Sequence, residues 1–308
     1  MRLNYFGYYI KDIASEKDYL YDLRPFLKAF CKINNAKFKN QFLYNGEHIY
    51  LFNVIEDIYL FVITRSREII KRINTDNLKV NEIYDILDNN ENLGFASYVY
   101  FGENFLAFAS TILAPKITGL SVFIDSVFKS MNLKYRFCVQ ALLHKATKDE
   151  ALSFPIIGKT TIELSRENSL IQDIAEFISA KGSDFNELNS IEITIKPKRK
   201  KNIKPFIAKF LKAIPEDDSS KMIVKAKRNI SDQLIDLYIV GKGVVSDLIN
   251  TKDERKIYDA ILNKVKNNKL MLNKLQNFTK DERFEKKDIE DISKFSDTSS
   301  WTDIISSI

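Results

Sequence analysis

Ile191-Glu192-Ile193-Thr194-Ile195-Lys196-Pro197-Lys198-Arg199-Lys200-Lys201-Asn202-Ile203-Lys204 is a stretch that changes conformation twice. Ile191, Ile193 and Ile195 alternate with Glu192, Thr194 and Lys196, the period of two of a half-buried strand. Pro197 has no N–H to give to a ladder, so the strand ends there. Asn202 then reads as an N-cap, and Ile203, Phe206, Ile207, Phe210 and Leu211 fall on the apolar stripe of a helix. Pro205 sits in the first turn, where a missing N–H costs little.

Between strand and helix lies a corner of Lys196, Lys198, Arg199, Lys200 and Lys201, with Lys204 just inside the helix. Cations at this density repel one another unless a polyanion neutralises them. The unpaired N–H groups at the start of the helix favour phosphate in the same place. A well-solvated surface turn is the competing reading. The strand–corner–helix frame favours nucleic acid, because it holds the charges as a surface and not as a tail.

The chain has 308 residues, enough for one large or two medium domains. Hydrophobic residues make up 45% and charged residues 29%, the balance of an ordinary globular protein, with a net charge of +6. The excess positive charge is concentrated between Lys196 and Lys227. Cys31 and Cys138 have apolar neighbours, no CxxC spacing exists, and His48 and His144 lack ligand-like company. Buried thiols in a reducing compartment, with no metal and no cofactor, are the expectation. The start of the chain lacks the pattern of a signal peptide, and no apolar run reaches membrane-spanning length. A cytoplasmic protein is predicted.

In chain order, Leu3–Ile10 predicts a strand, and Asp18–Phe30 a helix that Pro25 interrupts. Gln41–Tyr44, His48–Val54 and Tyr59–Thr64 predict a meander, turning at Asn45-Gly46 and Glu56-Asp57. Ser66–Ile73 and Val80–Leu87 read as short helices. Leu93–Phe101 and Phe105–Ser110 read as a hairpin, Leu120–Met131 as a helix, and Tyr135–Leu142 as a strand. Thr147 and Glu150 form a capping box. Ile156–Leu164 predicts a strand, and Ser169–Ala180 a helix stopped at Gly182.

In Lys221–Lys227, Met222, Val224 and Ala226 face one way, and Lys221, Ile223, Lys225 and Lys227 the other. Lys225, Lys227 and Arg228 extend the basic patch if this strand neighbours the first. Gln233–Val240 fits helix or strand. Glu254–Phe278 reads as one long helix, and the polar tail after it, with Trp301, as weakly ordered or a docking segment. Strand clusters broken by helices without strict βαβ alternation make the class α+β, with mixed or antiparallel sheets. The expected divisions are 1–152 (an N-terminal α+β domain), 153–278 (a basic DNA-binding and dimerisation region) and 279–308 (the tail).

Gly158-Lys159-Thr160-Thr161 resembles the end of a phosphate-binding P-loop, but Phe154 stands where its first glycine belongs, and the match fails. The acidic pairs Glu56-Asp57, Asp217-Asp218 and Glu290-Asp291 lie in turns or solvated segments, not in an acidic-x-Lys nuclease pattern. Two histidines supply hydrolase triads poorly. Aromatics reach 12%, and most fall at core positions, leaving Tyr98 and Tyr100 as open candidates for base stacking. Nothing in the sequence asks for an enzyme.

The chain resembles the RexA family. The resemblance rests on Leu93-Gly94-Phe95-Ala96-Ser97, Ala146-Thr147-Lys148-Asp149-Glu150, Ile157-Gly158-Lys159-Thr160-Thr161 and above all Ile193 to Lys204, in the family's order and from near the N-terminus to about Lys274. It implies a non-enzymatic, intracellular DNA-binding protein of superinfection exclusion, an abortive-infection form of antiviral defence. Such a protein forms a homodimer, has a fold similar to that of RdgC, and triggers a RexB-like membrane channel partner. The residues matching the family's DNA-facing regions are Lys196, Lys198, Arg199, Lys200, Lys201, Lys204, Lys225, Lys227 and Arg228. A metal-dependent nuclease of phage defence and an interaction module binding an acidic partner are the alternatives. The segment after Thr279 and the use of lysine for some arginines depart from the family pattern.

Overall fold

The computed structural model describes residues 1–65, 70–73, 80–83, 87–88, 91–165, 189–198, 201–213, 219–227, 234–241 and 243–306. The fold is α+β. The chain forms two compact units, Met1–Leu142 with Ser246–Ile308, and Leu143–Val245.

Unit 1 is built on a mainly antiparallel sheet, with the short strand Phe284–Glu285 parallel to Asp18–Tyr19 at one edge. Strand β1 (Arg2–Asp12) pairs with β5 (Phe105–Ala109) on one side and β6 (Tyr135–Ala141) on the other. The ladder continues from β5 through β4 (Gly94–Phe101) and β3 (Ile58–Thr64) to β2 (Glu47–Ile55). Asn45 and Gly46 take positive φ of 53° and 81°, which an asparagine and a glycine tolerate, and the expected hairpin turn forms there. Helix α1 (Arg24–Lys32) carries Pro25 in its first turn, so this proline starts a helix instead of interrupting one. Asp18–Tyr19 is a short strand, not the beginning of that helix. Helix α2 (Ile117–Ser130) buries Leu120, Phe123, Ile124, Val127 and Phe128.

The two short helices expected after β3 are corrected. Lys71–Ile73 and Val80–Glu82 pair as antiparallel strands, consistent with the β-branched Ile73 and Val80. Residues 66–69, 74–79 and 84–86 of those stretches lie outside the described residues.

Unit 2 centres on a four-stranded sheet. Strand β7 (Ile156–Ser165) lies between β8 (Ser190–Ile195) and β9 (Ser219–Lys227), and β10 (Ile235–Val240) flanks β9. All pairings are antiparallel. The ambiguous Gln233–Val240 stretch is therefore strand over Ile235–Val240. Thr147 caps α3 (Lys148–Ser153) by accepting the N–H of Glu150 at 3.0 Å. Helix α4 (Lys204–Ala213) covers one sheet face with Ile207 and Leu211, both fully buried. The helix expected at Ser169–Ala180 lies outside the described residues.

The chain then returns to unit 1. The single long helix expected over Glu254–Phe278 is two helices, α5 (Glu254–Asn267) and α6 (Lys269–Thr279). Asn268 breaks them with an extended ψ of 91°, and its side chain accepts the N–H of Met271 to cap the second. The tail is not weakly ordered around its tryptophan. Trp301 is fully buried, with ring contacts to Phe26, Phe30, Phe38 and Phe295. Its Nε1–H donates to the Phe295 carbonyl at 3.0 Å. A single indole among polar neighbours carries no periodicity, so its burial is invisible in the local sequence.

Candidate nucleic-acid interface

The basic corner begins where β8 ends. Ile195 pairs with Thr160 of β7, and Lys196 follows directly. The backbone then turns, the Lys201 N–H donating to the Lys198 carbonyl at 2.9 Å. Asn202 fastens this turn to the start of β7. Its Oδ1 accepts the N–H groups of Ile157 and Lys204, both at 3.0 Å, while its Nδ2 donates to the Pro155 carbonyl at 2.8 Å. The Ile203 N–H adds a bond to the Ile157 carbonyl at 3.2 Å. Asn202 thus caps α4 as expected and also staples the corner to the sheet.

Lys196, Lys198 and Lys201 are exposed, and Lys204 is half-buried. Arg199, Lys200 and Arg228 lie outside the described residues. In β9, Met222, Val224 and Ala226 are fully buried, so the lysines of that strand face outward as the alternation requires. The two basic strands are not neighbours, because β7 separates β8 from β9. Even so, Lys227 pairs with Ile156, between Pro155 and Ile157, the two residues that Asn202 holds. The corner and Lys227 therefore share one end of the sheet.

Lys225 differs from the corner lysines. Its Nζ lies 2.8 Å from Asp236 Oδ1 on β10, and that carboxylate side chain is 13% exposed. Lys221 likewise lies 2.9 Å from Glu192 Oε2 on β8. These carboxylates and Lys159 border a shallow depression on the outer sheet face. Neither ion pair was legible in the sequence, since both join residues far apart in the chain. A register shift in the β7–β9 ladder between Ile157 and Thr160 explains Gly158-Lys159 as a bulge within a strand, not a phosphate loop.

Phe206 does not join the buried stripe of α4. It is 57% exposed, with its ring stacked on that of Phe210 at 6.1 Å and 18°. The earlier stacking candidates are engaged within unit 1, Tyr98 with Tyr258 at 6.0 Å and Tyr100 with Phe105 at 5.8 Å. Cys31 is partly buried, and burial of its sulfur pushes the thiol up to about 11. Burial also raises Cys138. Of the acidic pairs, Asp57 lies 2.7 Å from Lys28 Nζ, and Asp217-Asp218 is outside the described residues. No three His, Cys, Asp or Glu side chains cluster as metal ligands among the described residues. No helix among them is long and apolar enough to cross a membrane.

Two comparisons bear on this site. The RexA protein of Escherichia phage lambda is 27% identical over 236 residues, covering 74% of this chain and 84% of its own length. The RexA protein of Enterobacteria phage 434 matches to the same extent. The sequence model of the RexA family, described as "Intracellular sensor of Lambda phage, Abi component", matches residues 1–234, which include the whole basic corner and β9. With three-quarters of its length matched in this way, the chain belongs to the RexA family.

Proposed function

We propose that the chain is the DNA-binding sensor of an abortive-infection system acting in superinfection exclusion. It works without catalysis, as a cytoplasmic homodimer, and signals to a RexB-like membrane channel protein. One arrangement carries the reading: Lys196, Lys198, Lys201 and Lys204 stand on a turn stapled by Asn202 to the start of β7, with Lys227 at the same end of the sheet. The family's description as an intracellular sensor of phage lambda supports the sensing role.

Lysines meet phosphates as point charges, without the paired geometry of a guanidinium. A charged corner with no recognition helix favours backbone contacts and little base readout. Log affinity for a DNA duplex should then fall with log salt at about −0.9 per neutralised phosphate. Replacing Lys198, Arg199 and Lys201 together by Ala should make that slope shallower by roughly two to three. An unchanged slope would move binding elsewhere. Plasmid incubated with the protein and magnesium or manganese should stay intact, and cutting would overturn the non-catalytic reading.

A further inference from the structure

We propose that Phe206 is a stacking platform for an unpaired nucleobase, so that the basic corner prefers single-stranded or locally opened DNA to intact duplex. This inference rests on the DNA-binding reading above and names the form of DNA. The ring lies in the first turn of α4, one turn after Asn202 and two residues after Lys204. It is more than half exposed, and it lies almost parallel to Phe210. Lys201 before it, and Lys209 and Lys212 after it, are all exposed.

The chemistry of this neighbourhood selects among occupants. A protein interface needs about 800 Å² on each side, and two rings framed by cations are a small apolar patch for that purpose. Its rim would also bring several ammonium groups to an apolar partner without neutralising them. A nucleotide supplies both complements at once, a flat ring for Phe206 and a phosphate for the lysines. In intact duplex the bases are already stacked on one another, so only an unpaired base offers its face. The tethers of Asn202 to Pro155 and Ile157 hold the ring and the charges in a constant relation.

Fluorescein-labelled oligothymidylate and a duplex of similar length, titrated with the full chain at several salt concentrations, provide the test. Phe206→Ala and Phe206→Leu should each weaken oligothymidylate binding by about fivefold to a hundredfold. Both should leave the salt slope unchanged and duplex affinity within about twofold, because stacking releases no counterions. Phe206→Trp should bind like the wild type or more tightly.

Leucine keeps the apolar bulk and loses the π face, so wild-type binding by Phe206→Leu would overturn the proposal. Equal losses on duplex and oligothymidylate would overturn it as well. If the wild type shows salt-dependent binding and no Phe206 variant changes it, the stacking inference alone fails. If the wild type binds neither probe, the DNA-binding reading fails and this inference falls with it.

Discussion

The two units are held together by different chemistry. In unit 1, Phe26, Phe30, Phe38, Phe42 and Phe123 crowd around or near Trp301, mostly edge to face. In unit 2 the buried set is aliphatic, with Ile157, Ile162, Leu164, Ile207, Leu211, Met222 and Val224, and Phe154 as the one aromatic among the buried core residues described. The sheets differ too. In unit 1, β5 is buried along its whole length, whereas the outer face of the unit 2 sheet carries Lys159, Glu163, Lys221 and Lys225. A strand buried on both faces serves packing alone. One buried on a single face leaves the other for charge, where Lys159, Lys221 and Lys225 stand in the unit 2 sheet.

The largest effect that could break this contrast lies in unit 1. Trp301→Ala should cost about 3–5 kcal/mol of unfolding free energy, the usual range for an aromatic removed from a core. Urea denaturation would measure it. Removing everything after Phe278 should destabilise at least as much, since it takes the same indole away. A loss below about 1 kcal/mol would mean that the ring cluster does not depend on the C-terminal segment.

Asn202→Ala should come next, at about 1–3 kcal/mol, because two backbone N–H groups and one carbonyl lose their partner. It should also make the salt dependence of DNA binding shallower, as the corner loosens. Asn202→Asp keeps the acceptor and should recover part of both. If Asn202→Ala lowers stability and leaves the salt dependence as it was, the corner is not held by this staple.

A smaller change is expected for Lys225→Ala with Lys227→Ala. Lys225 must leave Asp236 before it can meet a phosphate, so it contributes less than a corner lysine. The double variant should weaken DNA binding less than the triple corner variant, with the melting temperature within a few degrees of wild type. Lys266→Ala, on α5, should bind normally. Equal losses in all three would mean that charge acts only as a diffuse field.

The smallest effect is chemical. With the Cys31 thiol raised to about 11, its thiolate fraction near pH 8 falls to roughly 0.1%. Alkylation should therefore be much slower in the native protein than in urea, as mass spectrometry would show. Similar rates in both states would argue that unit 1 opens around α1.

Much of the local structure was legible. The alternation in β8 and β9, the N-cap at Thr147, the turn at Asn45-Gly46 and the capping role of Asn202 are contained in short windows, because each depends on residues within a turn or two. The same windows misread Lys71–Ile73 and Val80–Glu82 as helical, since short runs of isoleucine and valine fit either period. They also ran across Asn268, because an asparagine inside an amphipathic pattern does not announce that it will cap a new helix.

What the sequence by itself determined was which side of β8 and β9 is apolar and where the cations accumulate, because burial of Met222, Val224 and Ala226 leaves the lysines of β9 no other direction. Only the tertiary structure decided that β7 separates the two basic strands, that Asp236 and Glu192 stand against Lys225 and Lys221, and that Phe206 stays in solvent while Trp301 does not. Strand order, cross-strand ion pairs and the burial of a lone ring are set by partners distant in the chain, and no local period encodes such a partner.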